Sequence, residues 1–414
     1  MRVNGIIAEY NPFHNGHKYH LETLKKKTGA DYTVIVMSGN FTQRGTPALF
    51  PKHERAHMAL LNGADLVLEL PLYYSCGSAE YFSKGAVALF DKLGIINYIG
   101  FGSEVGNIQD LMAIAKILQA EPPLYQSVLK KKLREGLTYP QARSLALSAC
   151  FPESDGFESL LASPNNILGI EYCRALLSRT SSIEPVTIKR NGADYHASFL
   201  TTNGRHSSAL ALRTALFEDD NLSSCDGHMP DSALSVLSEH WKKRGPVFET
   251  DLSHLLHYKL LSETAKGFTD YVDVSSELSD RILRKLPEYL SFPQFCNLIK
   301  TREMTYTRIS RCLLHILLDI KKTSLSEYIA LDYVPYARIL GFRKTAVPLL
   351  HEIKQHSSIP LISKLADASS LLSEKAYRML LDDIRAAHLY ETILTDKYSI
   401  PVKNEFSKEI LMIP

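Results

Sequence analysis

Over its first two hundred residues the chain alternates short, unbroken apolar runs with longer stretches of helical spacing. The runs are "VNGIIAE" (Val3 to Glu9), "DYTVIVM" (Asp31 to Met37), "DLVLEL" ending at Pro71, "INYIGFG" and, near residue 188, "PVTIKR". Runs that stay apolar instead of alternating predict strands buried on both faces. Between them, "HKYHLETLKKKTG", "PKHERAHMALLNG" and "SAEYFSKGAVALFDKLG" read as helices closed by Gly29, Gly63 and Gly94, the second opened by Pro51. A helical insertion, around residues 107–180, precedes the fifth strand. This order predicts an α/β fold with a Rossmann-like parallel sheet. Ligands of such sheets bind at the carboxyl ends of the strands. That rim holds the Asn11 to His17 turn, the "SGNFTQRG" loop (Ser38 to Gly45) and "GFGSE" (Gly100 to Glu104).

The pattern changes after residue 220. "NLSSCDGHMPDS" is rich in turn formers and marks a boundary. Beyond it helical spacing dominates, as in "YTRISRCLLHILLDIKK", so the second half is predicted to be an all-α C-terminal domain. The predicted division is 1–220 and 221–414.

Composition narrows the setting. With 414 residues, 45% hydrophobic, 22% charged and a net charge of +2, the chain is globular and no polycation, so a nucleic-acid surface would have to be local. Its six cysteines form no C-x-x-C pair, which argues against a zinc ribbon. No run has the length of a membrane span, and the first apolar run is broken by Pro12. A reduced, cytoplasmic protein is expected, with no membrane partner.

The first turn, "YNPFHNGH", carries the chemistry. A turn that opens a helix offers free backbone N–H groups and a favourable dipole to an anion. His14 and His17 can donate to phosphate oxygens, and Gly16 allows close approach. "HERAH" (His53, Glu54, His57) matches the zincin motif, but a helix end and a buried strand follow it, so no zinc is expected. Lys52 and Arg55 on that helix are assigned instead to phosphate or the fold surface. Asn40, Gln43 and Arg44 could close over a ligand. Arg281 to Lys344 holds twelve Lys or Arg against five Asp or Glu. There Arg308 and Arg311 share a helix face, and Tyr306 could stack on a base.

"YNPFHNGH" resembles the H-x-G-H signature of the nucleotidylyltransferases, and "HSSALALR" (Ser207, Ser208, Arg213) resembles their second motif, with its arginine one residue later than usual. "MSGNFTQRGTPA", "NGADLVLELP", "SPNNILGIEY", "KRNGADYH", "TREMTYTRISRCLLHILL" and "YARILGFRK" extend the likeness along the chain to the tRNA(Met) cytidine acetate ligase family. That resemblance implies an ATP-binding domain followed by a helical tRNA-binding one. It implies ATP-driven formation of acetyl-adenylate from acetate, then acetylation of the wobble cytidine of elongator tRNA(Met), with Mg²⁺ on the triphosphate. By position it implies an ATP site at Ile7, Ala8, Glu9, Tyr10, Asn11, Pro12, Phe13, His14, Asn15, Gly16, His17, Lys18, Tyr19 and His20, with Gly102, Asn165 and Arg190. His14 and His17 would be catalytic. Ser207, Ser208 and Arg213 would be phosphate contacts, and Arg308 and Arg311 tRNA contacts. The alternative is a small-molecule nucleotidylyltransferase acting on a phosphorylated cofactor precursor.

Overall fold

The computed structural model describes residues 1–151, 160–161, 163–190, 207–219 and 221–414. Five strands fall where the apolar runs predict them: β1 (Val3–Ala8), β2 (Tyr32–Ser38), β3 (Leu66–Leu70), β4 (Tyr98–Ser103) and β5 (Glu184–Lys189). They pair in parallel, in the order β5-β4-β1-β2-β3. Successive residues of β2 feed opposite cores. Val34 and Val36 join one apolar cluster, and Ile35 and Met37 join the other. Both faces are thus covered, which is why the strands read as continuous apolar runs.

β1 is followed in sequence by its neighbour β2, but its other neighbour is β4. The strand order therefore reverses between β1 and β4, though the strands stay parallel, and a crevice opens there at the carboxyl ends. Helix α1 (Asn15–Thr28) leaves from the end of β1 and stops at Gly29, whose left-handed backbone (φ 64°) suits glycine.

The second half is mainly helical, as predicted, but it also returns three strands that the periodicity did not reveal. β6 (Ala337–Arg343) pairs antiparallel with β3, while the short β7 (Leu361–Ile362) and β8 (Leu411–Ile413) pair with β6. Residues beyond 220 thus complete the sheet that the first half begins.

Helix α2 (Lys52–Leu61) corrects the assignment of Lys52 and Arg55 to phosphate or the surface. Both are 1% exposed or less. Lys52 Nζ lies 2.8 Å from Glu69 on β3 and 2.7 Å from Glu405, and Arg338 on β6 pairs with the same two carboxylates. This buried square of charge ties β6 and the C-terminal segment to the sheet. Arg55 donates to the carbonyls of Phe50, Glu9, Ser38 and Gly39, so it clamps the ends of β1 and β2 from beneath.

His53 and Glu54 turn to different protein partners. His53 Nε2 faces Glu405 at 3.4 Å, and Glu54 faces His240 at 3.7 Å. Among the described residues no group of three or more His, Cys, Asp or Glu is placed to hold a metal ion. Among them, too, no helix is long and apolar enough to cross a membrane.

Candidate active site

The chain leaves β1 at Ala8 and turns through Glu9 to Phe13 into α1. His14 is the N-cap of that helix, with extended backbone, and its Nδ1 accepts the Gly16 N–H at 3.0 Å. His17, at the third helical position, returns the favour: its Nδ1 accepts the His14 N–H at 3.2 Å. This is a capping box whose two side chains are imidazoles. The spacing of three residues is therefore a helix-start requirement as well as a chemical signature. The rings stack with centroids 3.8 Å apart.

The box has a chemical consequence. Each Nδ1 accepts a backbone proton, so each ring carries its own proton on Nε2. Burial, and then the electrostatic influence of His14, Arg190 and His20, hold the His17 pKa well below its ordinary value. The ring is thus a neutral N–H donor. His20, one turn further along α1, is lowered to about 4 by burial and Arg190, and its buried Nε2 has no hydrogen-bond partner among the described residues.

Gly16 serves the box directly. A Cβ there would sit 2.8 Å from His14 Cε1, so the glycine makes room for the His14 ring rather than for a ligand alone.

A pocket over the crevice gathers most of the expected residues. Ile7, Ala8, Glu9, Tyr10, Asn11, His14, His17 and His20 line it, with Gly102 from β4, Asn165, Arg190 at the end of β5, Ser208 and Arg213. Pro12, Phe13, Asn15, Gly16, Lys18, Tyr19 and Ser207 do not. Phe13 is wholly buried, with its ring 5.6 Å from that of His17, and Lys18 and Tyr19 face outward. Asn15 anchors the turn, its backbone N–H donating to His228 O and its Nδ2 to Gly227 O. The loop read as a domain boundary thus buttresses the first turn.

The remaining polar residues are held from outside the pocket. Asn165 sits in the first turn of the helix Pro164–Ser178, and its Nδ2 donates to Glu104 at 2.6 Å. Ser208 accepts the Ala211 N–H and caps the helix Ala209–Asp219, while Ser207 lies 3.0 Å from His228. Arg213, on that helix, donates to the Asn11 carbonyl at 2.9 Å, so the displaced arginine still reaches the first turn. In the β2 loop, Gln43 and Arg44 line the pocket. Asn40 does not, being buried with its side chain accepting the Lys52 N–H.

Residues that the sequence reading missed are mostly apolar: Phe82, Phe101, Leu168 and Tyr172, with Leu210 and the loop residues Thr42 and Thr46. Such walls are usual for a nucleotide pocket, but in sequence they are indistinguishable from core.

In the second half, Arg308 is exposed, whereas Arg311 is tied to Asp273 at 3.1 Å. Tyr306 donates its hydroxyl to Glu249 at 2.6 Å and packs partly into the core, so it is not a free stacking platform. Of "KRNGADYH", residues 191–196 lie outside the described residues, as does His206 of "HSSALALR".

A parallel sheet with a paired-imidazole helix start at its switch point, facing an arginine two strands away, defines an H-x-G-H nucleotidyl transferase. The HIGH nucleotidyl transferase family model matches residues 1–405. The chain is 41% identical over its full length to the tRNA(Met) cytidine acetate ligase of Acetivibrio thermocellus, all of which is covered. It is likewise 41% identical to that of Clostridium novyi, across 88% of this chain and 90% of the relative. The crystal structure of apo TmcAL from Thermotoga maritima superposes with a TM-score of 0.92 at 30% identity, with both chains covered in full. The form of that protein bound with alpha-thio ATP gives 0.90. The chain belongs to the tRNA(Met) cytidine acetate ligase family, and it is an enzyme, a ligase.

Proposed function

We propose that this ligase joins acetate to ATP, releasing pyrophosphate and forming acetyl-adenylate, and passes the acetyl group to N4 of the wobble cytidine of elongator tRNA(Met). The observation that carries the reading is the imidazole capping box. His14 and His17 present Nε2–H donors at the N-terminal, positive end of the α1 dipole. When an acetate oxygen attacks the α-phosphorus, negative charge grows on the phosphoryl oxygens. Preset donors stabilise it there. The solved relative that binds alpha-thio ATP supports the nucleotide assignment.

Gly102, Asn165 and Arg190 would hold the nucleoside end, and Ser208 and Arg213 the phosphate end. Glu9 is the single carboxylate among the described pocket residues, and its Oε1 already accepts the Gln43 N–H. Mg²⁺ would therefore arrive on the triphosphate and not in a protein cage. Arg308 would meet the tRNA backbone, and the enzyme would work in the cytoplasm.

The test is exchange of labelled pyrophosphate into ATP across a panel of carboxylates and phosphorylated cofactor precursors. Exchange driven by acetate supports the reading. Exchange driven only by a phosphorylated precursor replaces it with a small-molecule nucleotidylyltransferase.

A further inference from the structure

The helix Ala209–Asp219 does more than present Arg213. Leu210, Arg213, Thr214 and Phe217 recur at helical spacing and line one side of a second hollow. Its opposite side is built by Val247, Phe248, Glu249 and Thr250. Thr46, Leu210 and Arg213 belong to both this hollow and the nucleotide pocket, so a ligand in one abuts a ligand in the other.

Phe217 has no task in the core. It is 58% exposed, and its ring meets the Phe248 ring edge-on at 5.0 Å. A solvated aromatic face at the mouth of a reaction pocket suits a flat π-surface, and single-stranded bases are bound in this way. Glu249 adds an acceptor beside it. One of its oxygens is held by the Tyr306 hydroxyl, which fixes the carboxylate in place. Burial raises its pKa, toward the range of a useful base.

We propose that the hollow lined by Phe217, Phe248 and Glu249 seats the acceptor base, an unstacked pyrimidine bearing an exocyclic amine. The inference rests on the acetyl-transfer reading. The base stacks on Phe217 with its amine toward Glu249 and Arg213. The amine nitrogen attacks the carbonyl carbon of the acyl-adenylate. The bond from that carbon to the phosphate oxygen breaks, AMP leaves with the electron pair, and the amine proton passes to Glu249.

The test uses the full chain with transcribed tRNA(Met), acetate and ATP. Phe217→Ala should lower kcat/KM for acetyl transfer to RNA about tenfold, the usual weight of one stacked base. Phe217→Tyr should restore it. Acetate-dependent pyrophosphate exchange without RNA should stay near wild type, because adenylation uses the other pocket. Glu249→Gln should slow transfer and flatten its rise with pH, whereas Phe217→Ala should keep the wild-type pH profile. Folded variants that transfer acetyl groups as the wild type does overturn the proposal, as does a parallel fall in exchange and transfer. If the wild-type chain itself shows no acetate-dependent exchange, the acetate reading fails, and RNA affinity judges the hollow. Phe217→Ala should still weaken binding and Phe217→Tyr restore it; unchanged affinity removes the hollow from RNA recognition.

Discussion

Replacing Gly16 by alanine tests whether the His14 ring acts from the position that the capping box gives it. The new Cβ would lie 2.8 Å from His14 Cε1 and 3.0 Å from Nδ1. Carbon contacts settle at about 3.5 Å or more, so the ring must retreat by on the order of 1 Å. That retreat stretches the 3.0 Å bond from the Gly16 N–H beyond hydrogen-bonding range. A lost N-cap costs about 1 kcal/mol. Alanine in place of glycine in a helix returns up to about 1 kcal/mol. The two nearly cancel, so the thermal midpoint should move by no more than about 4 °C. Activity should not be spared, because a displacement of about 1 Å at a reacting centre can cost about a hundredfold.

The assay is acetate-dependent pyrophosphate exchange in Gly16→Ala, His14→Ala and the double variant. If Gly16 acts through the His14 ring, the double variant is no slower than His14→Ala alone, since the second change finds nothing left to displace. Additive losses would mean that Gly16 serves the ligand directly. Wild-type exchange in Gly16→Ala would mean that the observed ring position is irrelevant to catalysis.

Three further outcomes follow from the same geometry. Lys52→Met leaves Glu69 with Arg338 as its one remaining cation among the described residues and takes from Glu405 its contact with Lys52, so the denaturation free energy should fall by about 3–5 kcal/mol; a loss below about 1 kcal/mol would show that the buried charges are not interdependent. His20 titrates near 4 when folded and near 6.5 when unfolded, so the unfolded chain takes up its proton first and stability falls as pH drops from 6.5 toward 4. Thermal midpoints of His20→Asn should fall less steeply across that window than those of the wild type, and equal slopes would count against the assignment. Arg308→Glu should weaken tRNA binding and reduce the slope of log affinity against log salt by about 1, leaving exchange without tRNA intact; an unchanged slope would make this face merely solvated.

The sequence made legible whatever depends on local chemistry. The four inner parallel strands, β1 to β4, stood out because they are largely buried on both faces and therefore mostly apolar, whereas β5, at the sheet edge, keeps exposed ends. The first turn stood out because a helix start needs caps, and few residues can cap a helix and also bind phosphate. What stayed hidden depends on partners remote in sequence. β6 contains Arg338, which looks like a surface residue until Glu69 and Glu405 are brought to it. β7 and β8, at two and three residues, are too short to show any period. Lys52 and Arg55 misled for the same reason as Arg338. Phe101 and Tyr172 look like core residues in sequence, and only the crevice between β1 and β4 makes them walls of a pocket.

These hidden contacts bear on the turn that carries His14 and His17. Arg55 is fully buried, yet among the described residues its hydrogen bonds go to backbone carbonyls, those of Glu9 at the exit of β1 and of Ser38 and Gly39 at the exit of β2 among them. It satisfies at once the strand-end carbonyls that the turning chain leaves without sheet partners. The two loops that meet over the pocket are thereby fixed to one guanidinium. Glu9 then reaches across to the Gln43 N–H at 2.7 Å, and Asn11 to the Leu49 N–H at 2.8 Å. The imidazole pair is consequently mounted on a turn braced on three sides. In the proposed reaction its donors would need little rearrangement when charge develops on the phosphorus, and such rigidity makes fixed dipoles effective in catalysis.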